Sequence, residues 1–275
     1  MLAAIVILGG AAAAALAWGW FEAGWVRLRV LEVEIAGLPP ELDGLRIVHL
    51  SDFHLGVPSR GGRAVERGVE WAASRGADLV AVTGDNLTRP SGLPTLRRLL
   101  ARVPGAVLVL GNHDIGVAKD PLAKRAAPYD AAPGVLLRDE ARVLDVRSRR
   151  VQVVGLDPAS VLRKEARPGA LVDLGADLRI LLCHFPDVVD DIAPGMFHVV
   201  LAGHLHDGQI AVPYGLGKLR LGDPRARYAA GLYRAGGMVL HVSPGLGTTF
   251  VPFRFFARPE ATELVLTRLA GAPDT

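Results

Sequence analysis

The chain has 275 residues, half of them apolar, and a formal net charge of +3. This composition supports a sizeable core and excludes a largely disordered chain. The positive charge is weak and is divided among small arginine groups, so we expect no nucleic acid partner. A single cysteine, Cys183, excludes an intrachain disulfide. The sequence allows no protein partner to be inferred.

The first 21 residues carry no charged side chain and predict a membrane anchor helix over residues 1–22. Trp18, Trp20 and Trp25 cluster at its far end, as interfacial anchors do. A cleaved signal peptide is the alternative, but such peptides begin with Lys or Arg, which this segment lacks. Arg27 and Arg29 follow the span, so the positive-inside rule predicts a single-pass membrane protein with its catalytic domain in the cytoplasm.

We interpret residues 23–44 as a linker and edge strand, and residues 45–270 as the catalytic domain. Apolar runs at 45–52, 78–85 and 105–114 predict buried strands, and the segments between them have helical spacing. The second half predicts a hairpin over 141–157, three more buried strands, and a closing hairpin or strand pair over 253–269. This order favours an α/β fold with two packed mixed β-sheets flanked by helices.

Residues of metal-ligand type follow most of the predicted buried strands. In chain order they are Asp52, His54, Asp85, Asn112, His113, Asp114, His184, His204 and His206. Each short motif alone is typical of an ordinary turn or strand end. Ligands in open α/β sheets bind at the carboxyl ends of strands, so the shared position indicates one site.

Carboxylate, imidazole and carboxamide groups suit first-row divalent metals such as manganese, zinc, iron or nickel, and the lack of thiolates argues against a structural zinc site. Seven candidate ligands are too many for one tetrahedral ion. With one bridging carboxylate they suit two metals about 3.5–4 Å apart, the arrangement for in-line attack on phosphorus.

The blocks D-x-H, G-D, G-N-H-D, H and G-H-x-H occur in this order from Asp52 to His206. With them the chain resembles the calcineurin-like metallophosphoesterase superfamily. The resemblance covers nearly the whole soluble part and points to a bacterial membrane-anchored branch of phosphodiesterases, which includes UDP-2,3-diacylglucosamine hydrolases. It implies a four-layer α/β/β/α sandwich and two divalent metal ions, with manganese the first choice.

The resemblance also implies a role for each residue. His113 would protonate the leaving oxygen or steady the developing charge, and Asp114 could orient its imidazole. A water or hydroxide shared by the two ions would be the nucleophile. One metal would be held by Asp52, His54 and His206, the other by Asn112, His184 and His204, and Asp85 would bridge them.

Two departures from the family pattern stand out. Asp207 replaces a glycine that many relatives have after G-H-x-H, which would alter the substrate-side loop or add an outer carboxylate. Leu87 and Thr88 replace an acidic residue after Asp85. Arg89 is a candidate phosphate contact, because the superfamily's protein phosphatases have an arginine at this spacing.

The sequence thus predicts a dinuclear-metal phosphohydrolase that cleaves a phosphodiester or pyrophosphate bond. The anchor favours a lipid-linked diphosphate, and the sharpest form of the hypothesis is UDP-2,3-diacylglucosamine, which belongs to lipid A biosynthesis. The stretch 250–256, with four phenylalanines, is either a packed strand or a lipid contact. A catalytically silent scaffold and a protein phosphatase are the alternatives.

Overall fold

The computed structural model describes residues 1–118, 120–124, 133–215 and 217–269. Two six-stranded mixed sheets pack face to face, and helices cover their outer faces. The predicted fold class is therefore confirmed. Residue 270, where the catalytic domain was predicted to end, lies outside the described residues.

Four helices are present in the described part of the chain: α1 (Leu2–Glu22), α2 (Gly61–Ser74), α3 (Leu93–Leu100) and α4 (Pro158–Leu162). The first sheet contains β1 (Arg27–Ile35), β2 (Leu45–Leu50), β3 (Leu79–Thr83), β4 (Val107–Val109), β5 (Val135–Leu136) and β14 (Glu260–Arg268). The second contains β6 (Glu140–Val146), β7 (Arg149–Gly155), β8 (Leu178–Leu182), β9 (Val199–Ala202), β12 (Gly231–Ala235) and β13 (Met238–Val242). A separate hairpin is formed by β10 (Ala211–Tyr214) and β11 (Gly217–Arg220).

The order of the first sheet is β1-β14-β2-β3-β4-β5, and that of the second is β12-β13-β9-β8-β7-β6. In both sheets the central strands are parallel, whereas β14 runs antiparallel to β2 and β6 runs antiparallel to β7. Side chains alternate between the two faces: Ile47 joins the core between the sheets, and Val48 joins the core under α2 and α3. On α2, Val65, Val69 and Ala72 form a buried stripe, as the helical spacing of this segment predicts.

The C-terminal segment departs from the predicted hairpin or strand pair. It forms one long strand, β14, inserted between β1 and β2 from the start of the domain. All nine residues of β1 pair with β14 in parallel, so the predicted edge strand belongs to the first sheet. Sequence periodicity indicates a strand here but not its partners, which lie more than two hundred residues away in the chain.

By length and composition, α1 is apolar enough to cross a membrane, and most of it is exposed. Its C-terminal end packs on the domain. Glu22 is buried and accepts hydrogen bonds from Trp18 Nε1 (3.0 Å) and Ala257 N (2.9 Å). Gly19 lies so close to the Phe255 ring that an added Cβ would collide with it. The last turn of α1 is thus part of the folded domain.

Candidate metal centre

The parallel strands of both sheets end at the same rim of the sandwich. Six of the seven candidate ligands that follow these strands are buried, and His204 is half-buried. The structure brings all seven together in two neighbouring groups.

The first group consists of Asp52, His54 and His206, whose ligand atoms lie within 4.8 Å of one another. His54 Nε2 is 3.0 Å from His206 Nε2, and His206 Nε2 is 3.4 Å from Asp52 Oδ1. Ring nitrogens and a carboxylate oxygen therefore point at one small volume.

The second group consists of Asp85, His184 and His204, with Asn112 beside them. His184 Nε2 lies 3.1 Å from His204 Nδ1 and 3.0 Å from Asn112 Oδ1. Asp85 Oδ2 is 3.3 Å from His184 Nε2 and 3.6 Å from His54 Nε2 of the first group. One carboxylate oxygen thus faces both groups, as a bridging ligand requires.

The hydrogen bonds of His184 show why this arrangement fits cations. Its Nδ1 is 2.9 Å from the Thr83 carbonyl oxygen, which can only accept, so Nδ1 carries a proton. In the neutral imidazole, Nε2 then presents a lone pair to the oxygens of Asn112 and Asp85. Lone pairs that face each other repel, and either a proton on Nε2 or a bound cation removes this repulsion. The residues present therefore fit divalent ions with nitrogen and oxygen ligands.

The titration behaviour of these groups agrees with this donor set. Burial lowers the pKa of His54 well below its usual value, lowers that of His206, and lowers that of His204 to about 4. Neutral imidazoles are the form that binds metals. Burial also acts to lower the pKa of His184, but the Asp85 carboxylate outweighs it and raises that pKa to about 9. Without a bound cation His184 therefore carries a second proton on Nε2, and a metal ion would have to replace that proton.

The backbone at the site adopts a conformation that costs free energy. Five candidate ligands have φ between 47° and 81°, in the left-handed region. For a non-glycine residue this conformation is less favourable than the right-handed one by about 1–2 kcal/mol. Neighbouring glycines allow the loops to approach closely: a Cβ on Gly111 would collide with the Asp85 carboxylate, and one on Gly203 would collide with the Ser51 hydroxyl. Such strain clusters at functional sites. The five residues are Asp52, His54, Asp85, His204 and His206.

His113 lies beside both groups, with its ring 4.5 Å from that of His54. Its Nε2 is 3.4 Å from Thr249 Oγ1, and Thr249 Oγ1 donates to Asp120 Oδ2 at 3.0 Å. Within the described residues, His113 Nδ1 is buried without a hydrogen-bond partner. A hydroxyl and a carboxylate therefore orient this imidazole, and the sequence interpretation identified neither of them.

Asp114 has a different environment from the one predicted. Its carboxylate accepts hydrogen bonds from the backbone amides of Asn86 (3.1 Å), Leu87 (2.9 Å) and Gly111 (2.9 Å). Burial and the nearby Asp85 carboxylate raise its pKa to about 7. These bonds join the loop after β3 to the loop after β4, so we assign Asp114 to loop positioning rather than to orienting His113.

The structure does not bring Arg89 to the site. Its guanidinium donates to the Leu122 carbonyl at 2.8 Å, and Pro90 begins a short 3-10 helix directly after it. We therefore do not assign Arg89 as a phosphate contact. Spacing from Asp85 alone could not show where this long side chain points.

Asp207 turns away from the ligands and toward the β10–β11 hairpin. It pairs with Lys218 Nζ and with Arg220 Nε, the latter at 2.8 Å. Where many relatives have glycine, Asp207 thus connects the substrate-side loop to the hairpin through two ion pairs. An altered loop was one of the two predicted effects.

Arg254 is fully buried and was not identified from the sequence. It donates to the carbonyls of Gly247 (2.6 Å), Pro244 (3.0 Å) and Ala257 (2.9 Å), and its Nη2 lies 3.1 Å from His206 Nδ1. It therefore holds together the backbone segments that pack behind His206. Its position as the one basic residue in an apolar stretch, 250–256, was the available signal.

A cavity of about 650 Å³ opens beside the two ligand groups. Asp85, Asn112, His113, His204 and His206 form its polar floor. Much of its wall is apolar and includes Val117, Leu162, Phe185, Leu205, Ile210, Leu221, Phe250 and Val251.

A four-layer sandwich with two such ligand groups beside a cavity defines a metal-dependent phosphoester hydrolase. Residues 45–208 match the model of the calcineurin-like phosphoesterase family, and the chain belongs to that family. The match contains every candidate ligand and ends before the hairpin and Arg254.

Similar proteins carry related names. The metallophosphoesterase YkoQ of Bacillus subtilis (strain 168) is 26% identical, and the aligned region covers 86% of this chain and 89% of the YkoQ chain. The phosphodiesterase YaeI of Escherichia coli (strain K12) is 27% identical over 90% of this chain and 89% of its own. A transmembrane protein with a metallophosphoesterase domain from Danio rerio is 29% identical over 86% of this chain and 56% of its own.

Proposed function

We propose that this protein is a membrane-anchored phosphodiesterase that uses two divalent ions to cleave a phosphodiester or pyrophosphate bond of a lipid-linked substrate. The observation that carries the proposal is the position of Asp85, whose Oδ2 faces both ligand groups at 3.3 and 3.6 Å. A carboxylate shared by two ions is the arrangement expected for in-line displacement at phosphorus.

In this proposal Asp52, His54 and His206 hold one ion, Asn112, His184 and His204 hold the other, and Asp85 bridges them. Such ions supply Lewis acidity and lower the pKa of bound water. Manganese is the ion proposed first, with zinc, iron or nickel as alternatives, since mixed nitrogen and oxygen ligands can bind each of them.

His113 is the proposed proton donor to the leaving oxygen. It lies in the floor of the cavity, and its Nε2 is 3.9 Å from Asp85 Oδ2 and 3.4 Å from Thr249 Oγ1. This nitrogen faces the ligand groups, so it is the one positioned to transfer a proton.

The apolar cavity wall and α1 support a lipid-linked substrate. A diphosphate at the floor of the cavity would leave an attached acyl chain against Phe185, Leu205 and Ile210. UDP-2,3-diacylglucosamine is the most specific candidate with this chemistry. The packing of Gly19 and Glu22 on the domain supports an uncleaved anchor, because removal of α1 would expose Phe255 and leave Ala257 N without its partner. Arg27 and Arg29 favour a cytoplasmic catalytic domain.

The test uses the full chain in detergent, stripped with a chelator and reloaded with manganese, zinc or iron. Metal content is measured directly, and hydrolysis is followed on bis-p-nitrophenyl phosphate and on UDP-2,3-diacylglucosamine. We expect about two ions per chain and cleavage of both substrates, the lipid nucleotide faster. Asp85→Asn should lose metal and activity together, whereas Glu66→Gln, an exposed carboxylate paired with Arg98, should lose neither.

Binding of a single ion, or full activity in Asp85→Asn, would contradict the dinuclear proposal. Cleavage of the soluble diester alone would leave the phosphodiesterase in place and remove the lipid substrate. Two bound ions with neither substrate cleaved would favour the silent scaffold, although the intact ligand groups and His113 argue against it.

A further inference from the structure

The β10–β11 hairpin exposes its apolar face. Val212 and Leu219 are paired across the two strands, and Tyr214 lies on the same face two residues further along β10. Their side chains are 50%, 45% and 66% exposed, respectively. A hairpin in water normally turns apolar side chains toward the protein, so this face needs an explanation.

The opposite face of the hairpin carries its positive charges inward. Lys218 and Arg220 both pair with Asp207, and Lys218 Nζ also donates to the Phe256 carbonyl at 3.1 Å. These contacts fix which face points outward. The exposed apolar face is therefore set by ion pairs that exist because Asp207 occupies this position.

The hairpin is directly continuous with the packed end of α1. Ala211 N donates to the Phe255 carbonyl at 2.9 Å, and the Phe255 ring packs on Gly19 of α1. The ring of Phe253 lies 6.3 Å from that of Trp20, also on α1. The hairpin thus lies beside the end of the helix that is proposed to leave the membrane.

The same region presents exposed aromatic rings and cations. Phe250 and Phe256 are 50% and 53% exposed. They lie on segment 250–256, whose Phe255 contacts both the hairpin and α1. The Arg258 guanidinium lies 3.6 Å from the ring of Trp25. Aromatic rings beside arginines are typical of proteins that lie in the interfacial layer of a bilayer, where lipid phosphates meet acyl chains.

We propose that Val212, Tyr214 and Leu219, together with Phe250 and Phe256, form a second membrane contact that docks into the phospholipid bilayer holding α1. This docking surface rests on the proposed function, because it requires α1 to be inserted. This surface lies next to an apolar helix that is long enough to span a bilayer. Binding of a second copy of the chain or of another protein would not require that arrangement, whereas contact with the same bilayer does.

Docking in this way would place the cavity at the lipid surface. Phe250 belongs both to the docking surface and to the cavity wall, next to Val251 and Leu221. A lipid headgroup could then reach the ligand groups while its acyl chains remain in the bilayer. The surface would therefore favour phosphoesters presented by a membrane over soluble ones.

The direct test is the depth of spin labels on the full chain in phospholipid vesicles. The native Cys183 is buried and burial raises its thiol pKa to about 12, so it should not react. Labels are placed at Leu219→Cys, Phe256→Cys and, as control, Leu174→Cys, a residue 80% exposed that precedes β8 at the opposite rim. We expect the first two labels to be accessible to oxygen and shielded from a water-soluble nickel chelate, and the control to show the reverse. Full accessibility of both labels to the chelate would overturn the proposal.

A kinetic test separates this proposal from the lipid-substrate proposal. Leu219→Glu and Tyr214→Glu lie outside the cavity and should leave hydrolysis of bis-p-nitrophenyl phosphate unchanged, which also verifies folding. We expect about a tenfold loss of activity on UDP-2,3-diacylglucosamine in vesicles, and none for Leu174→Glu. Equal activity of all three variants on the vesicle substrate would overturn the docking surface while keeping the proposed function. Shielded labels without cleavage of this lipid would support the docking surface and remove the proposed substrate.

Discussion

Replacing Arg254 by methionine should destabilise the protein and weaken metal binding together. The guanidinium donates to three buried carbonyls, of Gly247, Pro244 and Ala257. Each carbonyl left without a donor costs about 1–3 kcal/mol. Burial lowers the pKa of Arg254 to about 10, so removing the charge returns about 3 kcal/mol of desolvation. Taking about 2 kcal/mol for each of the three carbonyls, we expect a net loss of about 3 kcal/mol in the free energy of unfolding.

Thermal unfolding of the full chain in detergent measures this effect, with metal affinity determined by titration. A loss of this size lowers the melting temperature of a domain this large by about 5–15 °C. Because Arg254 Nη1 also lies 3.5 Å from the His206 carbonyl oxygen, loss of the guanidinium should displace this candidate ligand, and we expect metal affinity to fall roughly 10-fold or more.

The matched control is Arg163→Met, which removes an exposed arginine paired with Glu165 and should leave the melting temperature unchanged. If Arg254→Met melted within about 2 °C of the natural protein, with unchanged metal affinity, the buried guanidinium would not support the site.

Three further predictions concern other parts of the molecule. Gly111→Ala should reduce diesterase activity roughly 100-fold, because its Cβ would displace the proposed bridging carboxylate, whereas Gly62→Ala, where a Cβ meets nothing within 4 Å, should be neutral; equal activities would refute this. Burial, reinforced by Arg179, lowers the pKa of His198 to about 4, so its contribution to stability is present above pH about 6.5 and is lost as the pH falls toward 4. His198→Gln should therefore reduce the loss of stability in that pH window, measured by denaturant titration, and an unchanged slope would count against the assignment. Asp207→Ala should lower the free energy of unfolding by about 1–3 kcal/mol and increase proteolysis within the hairpin, since two cations lose their partner; unchanged proteolysis would show that the hairpin does not depend on Asp207.

Much of the fold was predictable because its signals are local. The alternation of side chains along β2 and the apolar stripe on α2 follow from the geometry of a strand and a helix. The partners of β14 were not predictable, because a strand pattern carries no information about which distant strands will flank it.

For the candidate site, the type and order of the ligands were evident from the sequence. Strand ends bring metal-binding groups to one rim, so D-x-H or G-H-x-H needs only its own few residues to be recognised. The structure alone decided the groups around them: Asp120 and Thr249 behind His113, and Asp114 between two loops. These contacts join segments far apart in the chain.

The sequence by itself determined the candidate ligands, the apolar helix and the layered α/β architecture, because each depends on residue type and spacing within a short segment. Only the tertiary structure decided that Arg89 turns away from the site, that Asp207 fixes the hairpin with its apolar face outward, and that Phe255 packs on Gly19. The direction of a long side chain and the outward face of a hairpin depend on which groups the rest of the fold places within reach.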